Sequence, residues 1–206
     1  MDEELICFMA GAIKIEGLHQ ALPGDKGVVI SHPHPLYGGS MHNNVVESLV
    51  RAYQQTGYST LRFNFRGVGS SQGEYDNGRG EQEDVKAAVR YLGEHGKNAV
   101  DLAGYSFGAW VNGLTGLDGD IVRRMVMISP PVAFLDFSSV LSIPQLRLVI
   151  AGSRDEIAPP ELIQTKLPNW NPGARLEIIE GADHFYGSYT AKLESILISY
   201  LAGKRD

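Results

Sequence analysis

Residues 100–116 read VDLAGYSFGAWVNGLTG, and this stretch decides the fold. An apolar run ends at Ala103, the turn Gly104-Tyr105-Ser106-Phe107-Gly108 follows, and an apolar segment with helical spacing begins directly after it. The pattern predicts a strand, a sharp turn and a helix. Glycines two residues before and two residues after Ser106 leave room where a Cβ would collide with the neighbouring strand or helix. The turn therefore presents the Ser106 side chain at the start of a helix, clear of the predicted sheet.

A serine in this position becomes a nucleophile when a histidine accepts its proton and a carboxylate orients that histidine. In a strand–turn–helix arrangement of this kind, the chain order is serine, acid, histidine. Of the six histidines, only His184 follows Ser106. His184 lies in a loop between an apolar strand-like segment, 176–179, and a helix-like stretch, 191–201. The sequence therefore predicts His184 as the general base.

The acid is predicted to be Asp155. It follows a buried strand pattern, 146–151, and the turn Gly152-Ser153-Arg154-Asp155. Carboxylates at the carboxyl ends of strands in an open α/β sheet point into the crevice where ligands bind. A purely structural role, capping the chain before Ile157, is the alternative for this carboxylate.

Other acidic residues between Ser106 and His184 are weaker candidates. Asp136 is the second choice, because it lies near the end of the preceding strand. Asp183 is adjacent to His184, and neighbouring side chains diverge. The remaining acidic residues in this interval are Asp118, Asp120, Glu156, Glu161, Glu177 and Glu180.

The loop 31–39, SHPHPLYGG, follows a short buried strand. A serine nucleophile of this kind needs two backbone N–H donors for the oxyanion, one from the residue after the serine and one from this loop. The first is Phe107. Because Pro33 and Pro35 have no N–H, His34 is predicted as the second. The N–H groups of Leu36 and Tyr37 are the alternatives.

His32 and His34, together with His42, raise the alternative of a metal site. No carboxylate or further histidine accompanies them at metal-ligand spacing, so we predict no metal. We expect His32 to be a buried, hydrogen-bonded loop residue and the His34 side chain to face the pocket.

The glycine-rich segment 66–73, RGVGSSQG, resembles a phosphate-binding loop. It lacks both the G-x-G-x-x-G pattern leading directly into a helix and the Gly-Lys-Ser/Thr of a P-loop. We therefore predict a tight turn in which Arg66 makes buried hydrogen bonds, and no nucleotide cofactor.

Composition narrows the function classes. The chain has 206 residues and a net charge of −6, and we expect one domain over residues 1–206. Without a basic run or basic–aromatic patch, nucleic acid is not an expected partner. No stretch has the length of a transmembrane segment or the pattern of a signal peptide, so no membrane association is expected. The single cysteine, Cys7, suits a reducing cytoplasm and is predicted to be buried in a strand.

Strands and helices alternate along the whole chain, which predicts an α/β protein with a mainly parallel sheet covered on both faces. The predicted strands are 5–9, 11–18, 28–30, 58–65, 98–103, 122–128, 146–151 and 175–179, and the predicted helices are 43–56, 80–95, 107–116, 160–167 and 187–202.

Taken together, these segments resemble the α/β-hydrolase superfamily over residues 5–202. The turn around Ser106 resembles its nucleophile elbow, and FNFRGVGSS at 63–71 is similar to its R-G-x-G-x-S turn. GSRDEIAP at 152–159 resembles the acid turn, and GADHF at 181–185 resembles the histidine turn. The loop HPHPLYGGSMHNN at 32–44 resembles a narrower group of small bacterial predicted esterases, distantly similar to dienelactone hydrolases.

The resemblance implies a three-layer α/β-hydrolase fold that needs no cofactor. Dienelactone hydrolases use a cysteine nucleophile, and epoxide hydrolases and haloalkane dehalogenases use aspartate, whereas this chain has Ser106. Only residues 129–144 separate the sixth predicted strand from the next, enough for one short helix and too few for a lid domain. We therefore expect an open site shaped by loops.

The expected function is hydrolysis of small or medium carboxylic esters, or thioesters, by Ser106, Asp155 and His184. The alternatives are an acyltransferase or small peptidase with the same triad, and a non-catalytic ligand-binding protein on this fold. The expected substrate pocket is apolar, with walls from Leu36, Tyr37, Phe107, Phe134, Ile157 and Phe185.

Overall fold

One eight-stranded sheet organises the computed structural model, which describes residues 3–117 and 121–203. Asp118 and Asp120, two of the weaker candidates for the acid, lie outside the described residues. The strands are β1 Glu4–Ala10, β2 Ile13–Gln20, β3 Lys26–Ser31, β4 Ser59–Phe63, β5 Ala99–Tyr105, β6 Val122–Ile128, β7 Leu146–Gly152 and β8 Arg175–Ile179. The helices are α1 Asn44–Gln55, α2 Arg79–Glu94, α3 Phe107–Leu114, α4 Pro160–Trp170 and α5 Thr190–Leu201, with a short 3₁₀ turn at Pro35–Tyr37.

The sheet is mainly parallel, as the alternation of strands and helices predicts. The strand order is β1-β2-β4-β3-β5-β6-β7-β8. Strand β2 pairs antiparallel with both β1 and β4, and the pairs from β4 through β3 to β8 are parallel. Crossover helices cover parallel strands on both faces, so the strands are buried on both sides; Val28, Val29 and Ile30 in β3 are fully buried.

Helices cover the sheet on both faces and form three layers. Apolar residues of α1 and α5, such as Leu49 and Leu197, make one core on one face. Apolar residues of α2, α3 and α4, such as Val85, Val111 and Ile163, make the other core on the opposite face. The fold class expected from the sequence is confirmed.

The chain reverses its direction across the sheet at β3, which lies between β4 and β5. Successive crossovers therefore run to opposite sides of β3. In sheets of this type, ligands bind in the crevice at the carboxyl ends of the strands where the order reverses. Ser31 at the end of β3 is in register with Gly104 near the end of β5. The loop after β3 thus lies beside the turn that contains Ser106.

The segment between β6 and β7 contains turns and bends and no helix. It is too short for a lid, as expected from the sequence. Among the described residues, no helix combines the length and apolar character that crossing a bilayer requires.

The prediction that Cys7 is buried is wrong, because the structure exposes this side chain. Strand β1 is at the edge of the sheet, and α2 packs against one of its faces. Phe8 and Ala10 point to that covered face and are buried, whereas Leu5, Cys7 and Met9 point to solvent. Both faces of this strand carry apolar residues, so alternation could not indicate which one is buried.

Candidate active site

Ser106 is held in a strained backbone conformation between β5 and α3. Its φ of 54° and ψ of −117° lie in a region that residues with side chains rarely adopt. The hydrogen bond from the Ser106 N–H to the Ile128 carbonyl, at 2.9 Å, ties the turn to the end of β6. The surrounding pairing therefore maintains the strain, and the hydroxyl lies at the first turn of α3.

The two flanking glycines are needed for the close packing of this turn. A Cβ on Gly104 would lie 2.6 Å from the backbone of Gly108 and Ala109. A Cβ on Gly108 would overlap the backbone of Ser31 and His32. The glycines thus allow α3 to approach both β5 and the loop after β3.

The structure brings Ser106, His184 and Asp155 into one hydrogen-bonded chain. The Ser106 Oγ lies 2.9 Å from the His184 Nε2, and the His184 Nδ1 lies 2.9 and 3.0 Å from the two Asp155 oxygens. An ionised carboxylate only accepts, so Nδ1 carries the proton and Nε2 is free to accept from the serine hydroxyl. All three residues are buried, with exposures of 7%, 6% and 3%.

Asp155 keeps its charge in this buried position through a dense set of donors. Burial opposes ionisation, but the hydrogen bond from the His184 ring and its electrostatic attraction, with further donors at the Ser129 hydroxyl and the Ala158 N–H, hold the pKa of Asp155 below its usual range. Oδ1 also accepts from the N–H groups of Ile157 and Ala158, at 3.0 and 2.7 Å. The capping role considered from sequence and the contact to His184 thus coexist in one carboxylate.

The other acid candidates have different partners. Asp136, the second choice, is exposed and accepts from the N–H and hydroxyl of Ser138. Asp183 accepts from the N–H groups of Phe185 and Tyr186 and so closes its own turn. Neither carboxylate contacts the His184 ring through a hydrogen bond in the described structure.

The backbone N–H groups of His34 and Phe107 are without a protein acceptor in the described residues. The alternative donors of the loop are already used, since the Leu36 N–H donates to the His34 Nδ1 at 3.2 Å and the Tyr37 N–H donates to the His34 carbonyl at 3.1 Å. The first N–H of a helix is a natural anion donor. The pair of His34 and Phe107 therefore stays the predicted oxyanion hole.

The His34 side chain is half-buried against aromatic rings. Its ring centroid lies 4.8 Å from those of Tyr37 and Phe107 and 5.1 Å from that of Tyr75. Burial lowers the pKa of His34. Because Nδ1 accepts from Leu36, Nε2 carries the hydrogen and faces the Tyr75 hydroxyl at 3.3 Å.

His32 is fully buried, as the sequence predicts, and both ring nitrogens are engaged. Nδ1 lies 2.6 Å from the Pro33 carbonyl oxygen, and Nε2 accepts from the Phe65 N–H at 3.0 Å. No lone pair is left for a metal ion. Within residues 3–117 and 121–203, no cluster of three or more His, Cys, Asp or Glu side chains is arranged to hold one.

The glycine-rich loop after β4 is a tight turn held by Arg66, as expected. The Arg66 Nη2 lies 2.8 Å from Oδ1 of the buried Asp84, and the Arg66 N–H donates to Oδ2 at 3.0 Å. This ion pair joins the loop to α2.

Apolar side chains are carried by four loops at the carboxyl end of the sheet, those after β3, β6, β7 and β8. Leu36, Tyr37, Phe134 and Phe185 are 66–87% exposed, and Ile157 is half-buried. The loops are linked, since the Ala133 N–H donates to the Ile157 carbonyl and the Asn44 side chain donates to the Phe185 carbonyl. Phe107 does not belong with them: its side chain is fully buried against Phe65 and Trp110, because the first turn of α3 directs it into the core.

Three residues that sequence reasoning missed support His184 and Asp155. The Tyr105 hydroxyl donates to the His184 carbonyl at 2.7 Å. The Ser129 hydroxyl contacts Asp155 and lies 2.7 Å from the Tyr186 hydroxyl. Ser129 and Tyr186 both have positive φ, 45° and 55°. The position of Tyr105 inside the turn motif was the one signal available; neither of the others belongs to a recognisable pattern.

Comparison with known proteins agrees with this fold. The alpha/beta hydrolase family matches residues 28–193. An uncharacterized protein from Rickettsia prowazekii is 34% identical over 200 residues, covering 91% of this chain and 84% of that protein. A structure of an alpha-beta serine hydrolase homologue from Coxiella burnetii has 34% identity, 98% coverage of both chains and a TM-score of 0.90.

A serine hydrolase without a lid from Xanthomonas campestris has 29% identity, covers 99% of this chain and 95% of its own, and has a TM-score of 0.87. The chain belongs to the α/β-hydrolase family. Its solved neighbours include lid-less α/β serine hydrolase homologues, and the family and fold support a hydrolase activity.

Proposed function

We propose that the protein is a serine hydrolase that cleaves small or medium carboxylic esters, or thioesters, through an acyl-enzyme. The observation that carries the proposal is the hydrogen-bonded chain from the Ser106 Oγ through the His184 ring to Asp155. Such a chain removes the proton from the serine hydroxyl as it attacks. The strained backbone at Ser106 and the membership of the chain in the α/β-hydrolase family support the same role.

In the acylation half-reaction, the Ser106 Oγ attacks the substrate carbonyl carbon while the His184 Nε2 takes the hydroxyl proton. Asp155 holds the ring with Nδ1 protonated and stabilises the imidazolium that forms. The N–H groups of His34 and Phe107 donate to the oxyanion of the tetrahedral intermediate. His184 then gives the proton to the leaving oxygen or sulfur, and the carbon–heteroatom bond breaks.

Deacylation repeats these steps with water. His184 takes a proton from the water as it attacks the acyl carbonyl, and the same two N–H groups hold the second oxyanion. The proton then passes to the Ser106 Oγ, which leaves, and the carboxylic acid departs. None of these proposed reaction steps uses a metal or a cofactor.

The surroundings of Ser106 support an apolar acyl group. Leu36, Tyr37, Phe134, Ile157 and Phe185 are the proposed pocket, since they bring apolar surface to the loops around the serine. The Phe185 ring centroid lies 5.7 Å from that of His184, which puts an exposed aromatic side chain directly beside the proposed base. Without a lid to enclose a long chain, small and medium acyl groups fit best.

The first test combines turnover with labelling of the serine. Wild type is expected to hydrolyse p-nitrophenyl acetate or butyrate and to react with a fluorophosphonate at Ser106. Ser106→Ala is expected to abolish labelling and reduce turnover to background, a loss of about 10⁴-fold or more. His184→Ala is expected to lose turnover to a similar extent.

Matched controls are Ser139→Ala and His95→Ala, because both residues are exposed and neither belongs to this chain of hydrogen bonds. Both controls should keep wild-type rates. Wild type that neither turns over nor labels would favour a non-catalytic ligand-binding protein, and turnover that survives Ser106→Ala would rule out the proposed nucleophile.

The compartment we infer is the cytoplasm. Cys7 is the single cysteine of the chain and its thiol is exposed and unpaired, which suits a reducing environment.

A further inference from the structure

We propose that His32 is a positioning residue that fixes the orientation of the peptide between Pro33 and His34, so that the His34 N–H points at the oxyanion. The inference rests on the proposed function, because it assigns a role within the oxyanion hole. The side chain of His32 does not reach the reacting atoms; it acts through the backbone of the next two residues.

The argument begins with the planarity of the peptide bond. The Pro33 carbonyl and the His34 N–H belong to one rigid plane and point in opposite directions. The His32 Nδ1 lies 2.6 Å from the Pro33 oxygen. A hydrogen bond that fixes one end of the plane therefore fixes the direction of the N–H at the other end.

The tautomer of His32 follows from its second hydrogen bond. The Phe65 N–H always carries its hydrogen, so the His32 Nε2 at 3.0 Å must be unprotonated. Nδ1 then carries the proton and donates to the Pro33 carbonyl. Burial lowers the pKa of His32 to about 4, so the ring stays neutral at pH 7 and keeps this single arrangement.

The packing leaves this ring and the peptide little freedom to move. The His32 ring is fully buried with its centroid 4.7 Å from that of Phe65. Phe65 in turn packs on Phe107, the residue that supplies the other proposed donor, with centroids 5.6 Å apart. Gly39 also packs against this peptide, so closely that a Cβ at Gly39 would overlap the Pro33 carbonyl.

Two substitutions of His32 separate the two hydrogen bonds. In His32→Asn, the side-chain amide can place an N–H near the Nδ1 position and donate to Pro33. In His32→Gln, the amide oxygen reaches the Nε2 position and accepts from Phe65, but the donor to Pro33 is lost. We expect His32→Gln to lower kcat by about tenfold or more, up to the 10²–10³-fold cost of a lost oxyanion donor, with KM changed less than about threefold.

His32→Asn is expected to retain more kcat than His32→Gln, even if its melting temperature is lower. The affinity for a trifluoromethyl ketone, whose adduct places an oxyanion at the same donors, should fall in His32→Gln in parallel with kcat/KM. A residue that only stabilises the fold would change the melting temperature without separating kcat from KM.

A second pair of variants tests the same peptide without changing His32. Gly39→Ala introduces a Cβ that overlaps the Pro33 carbonyl, and should lower kcat even though the φ of Gly39 is not in the left-handed region. Gly38→Ala is the matched control. Gly38 has φ of 78° and open space around its Cβ position, so alanine adds local strain without contacting the peptide.

The outcomes separate this inference from the proposed function. Wild type that turns over and labels, together with His32→Gln that keeps kcat within about threefold while folded, would overturn the role of His32 alone. Equal loss in His32→Asn and His32→Gln, tracking their melting temperatures, would also overturn it. Wild type without turnover or labelling would refute the proposed function itself.

Discussion

The two ends of strand β5 carry buried polar clusters of opposite character. At its start, Asp101 pairs with Arg124, which also contacts Tyr58, and the Asp101 charge is balanced within the protein. At its end, the chain of hydrogen bonds from Asp155 through His184 stops at the Ser106 hydroxyl, and the N–H groups of His34 and Phe107, the predicted oxyanion donors, have no acceptor among the described residues.

The difference shows what a reactive site needs beyond buried charge. Burial raises the pKa of Asp101, and Arg124 opposes that rise. The two side chains satisfy each other's charge, so this pair has a structural role. The other cluster holds the pKa of the Asp155 carboxylate low, and its hydrogen-bonded chain ends at the Ser106 hydroxyl, next to the predicted oxyanion donors. Stability is expected to depend on the first end and turnover on the second.

Asp155→Asn is expected to distinguish the two ends of β5 most clearly, because it should abolish most of the turnover and leave the stability of the fold intact. The amide would donate to the His184 Nδ1, force the proton onto Nε2 and prevent acceptance from Ser106. We expect kcat to fall by about 10³–10⁴-fold with the fold retained. Asp136→Asn is the matched control and should keep the wild-type rate; loss of activity there instead would assign the acid to Asp136.

Arg124→Met tests the opposite end of the strand. It leaves Asp101, which is 2% exposed, without its counter-charge, so the free energy of unfolding should fall by about 3–5 kcal/mol. Ester hydrolysis by the folded variant should equal that of wild type. Adding Asp101→Asn should recover part of the stability, as measured by urea denaturation; a folded variant with impaired kcat would show that the ends are coupled.

At low pH, protonation of His32, near the proposed site, should lower the free energy of unfolding. The pKa of His32 is about 4 when folded, below the ordinary 6.5, so the unfolded chain binds one more proton between these values. Stability from this group is complete above pH 6.5 and is lost as the pH falls towards 4, by up to about 3 kcal/mol. Unfolding measured against pH should show a shallower acid slope in His32→Asn; an unchanged slope would contradict this assignment.

The smallest effect is expected from Tyr105→Phe. Removing the hydroxyl leaves the buried His184 carbonyl without this donor, which should cost about 1 kcal/mol of stability and reduce kcat only a few-fold. Tyr91→Phe is a control, because the Tyr91 hydroxyl lies near His19, away from Ser106. A loss of kcat as large as that of Asp155→Asn would mean that Tyr105 takes part in the chemistry.

Much of the fold was predictable because the hydrophobic periodicity and the glycine and proline residues at segment ends indicate the same helices and strands in this chain. The predicted strands 122–128 and 175–179 coincide with β6 and β8, and the helix predicted at 43–56 differs from α1 by one residue at each end. Helix α4 runs past its predicted end at 167 to Trp170 and includes Pro168. Proline has no N–H to donate to the carbonyl one turn earlier, but near the end of a helix this removes a single bond, so α4 tolerates a residue that the sequence suggests as a stop.

The sequence could indicate which residues are candidates for the site, but not what supports them. Ser106, Asp155 and His184 stand out because chain order and strand ends restrict the choices. Ser129 and Tyr186 contact Asp155 or each other only through positive-φ turns, which no glycine or asparagine marks in the sequence. The burial of Phe107 likewise depends on how α3 packs, which its position in the motif does not determine.

The hydrogen bond between Ser106 and His184 joins residues 78 positions apart, and the one between His184 and Asp155 spans 29. These contacts form only when β5, β6, β7 and β8 are paired in register, and such non-local parallel pairing is a slow part of folding. After dilution from denaturant, the rate at which Ser106 regains reactivity towards a fluorophosphonate should therefore time the completion of the sheet. The reactivity of Ser106 would then report the last stage of refolding, and it should return more slowly than a spectroscopic signal of helix formation.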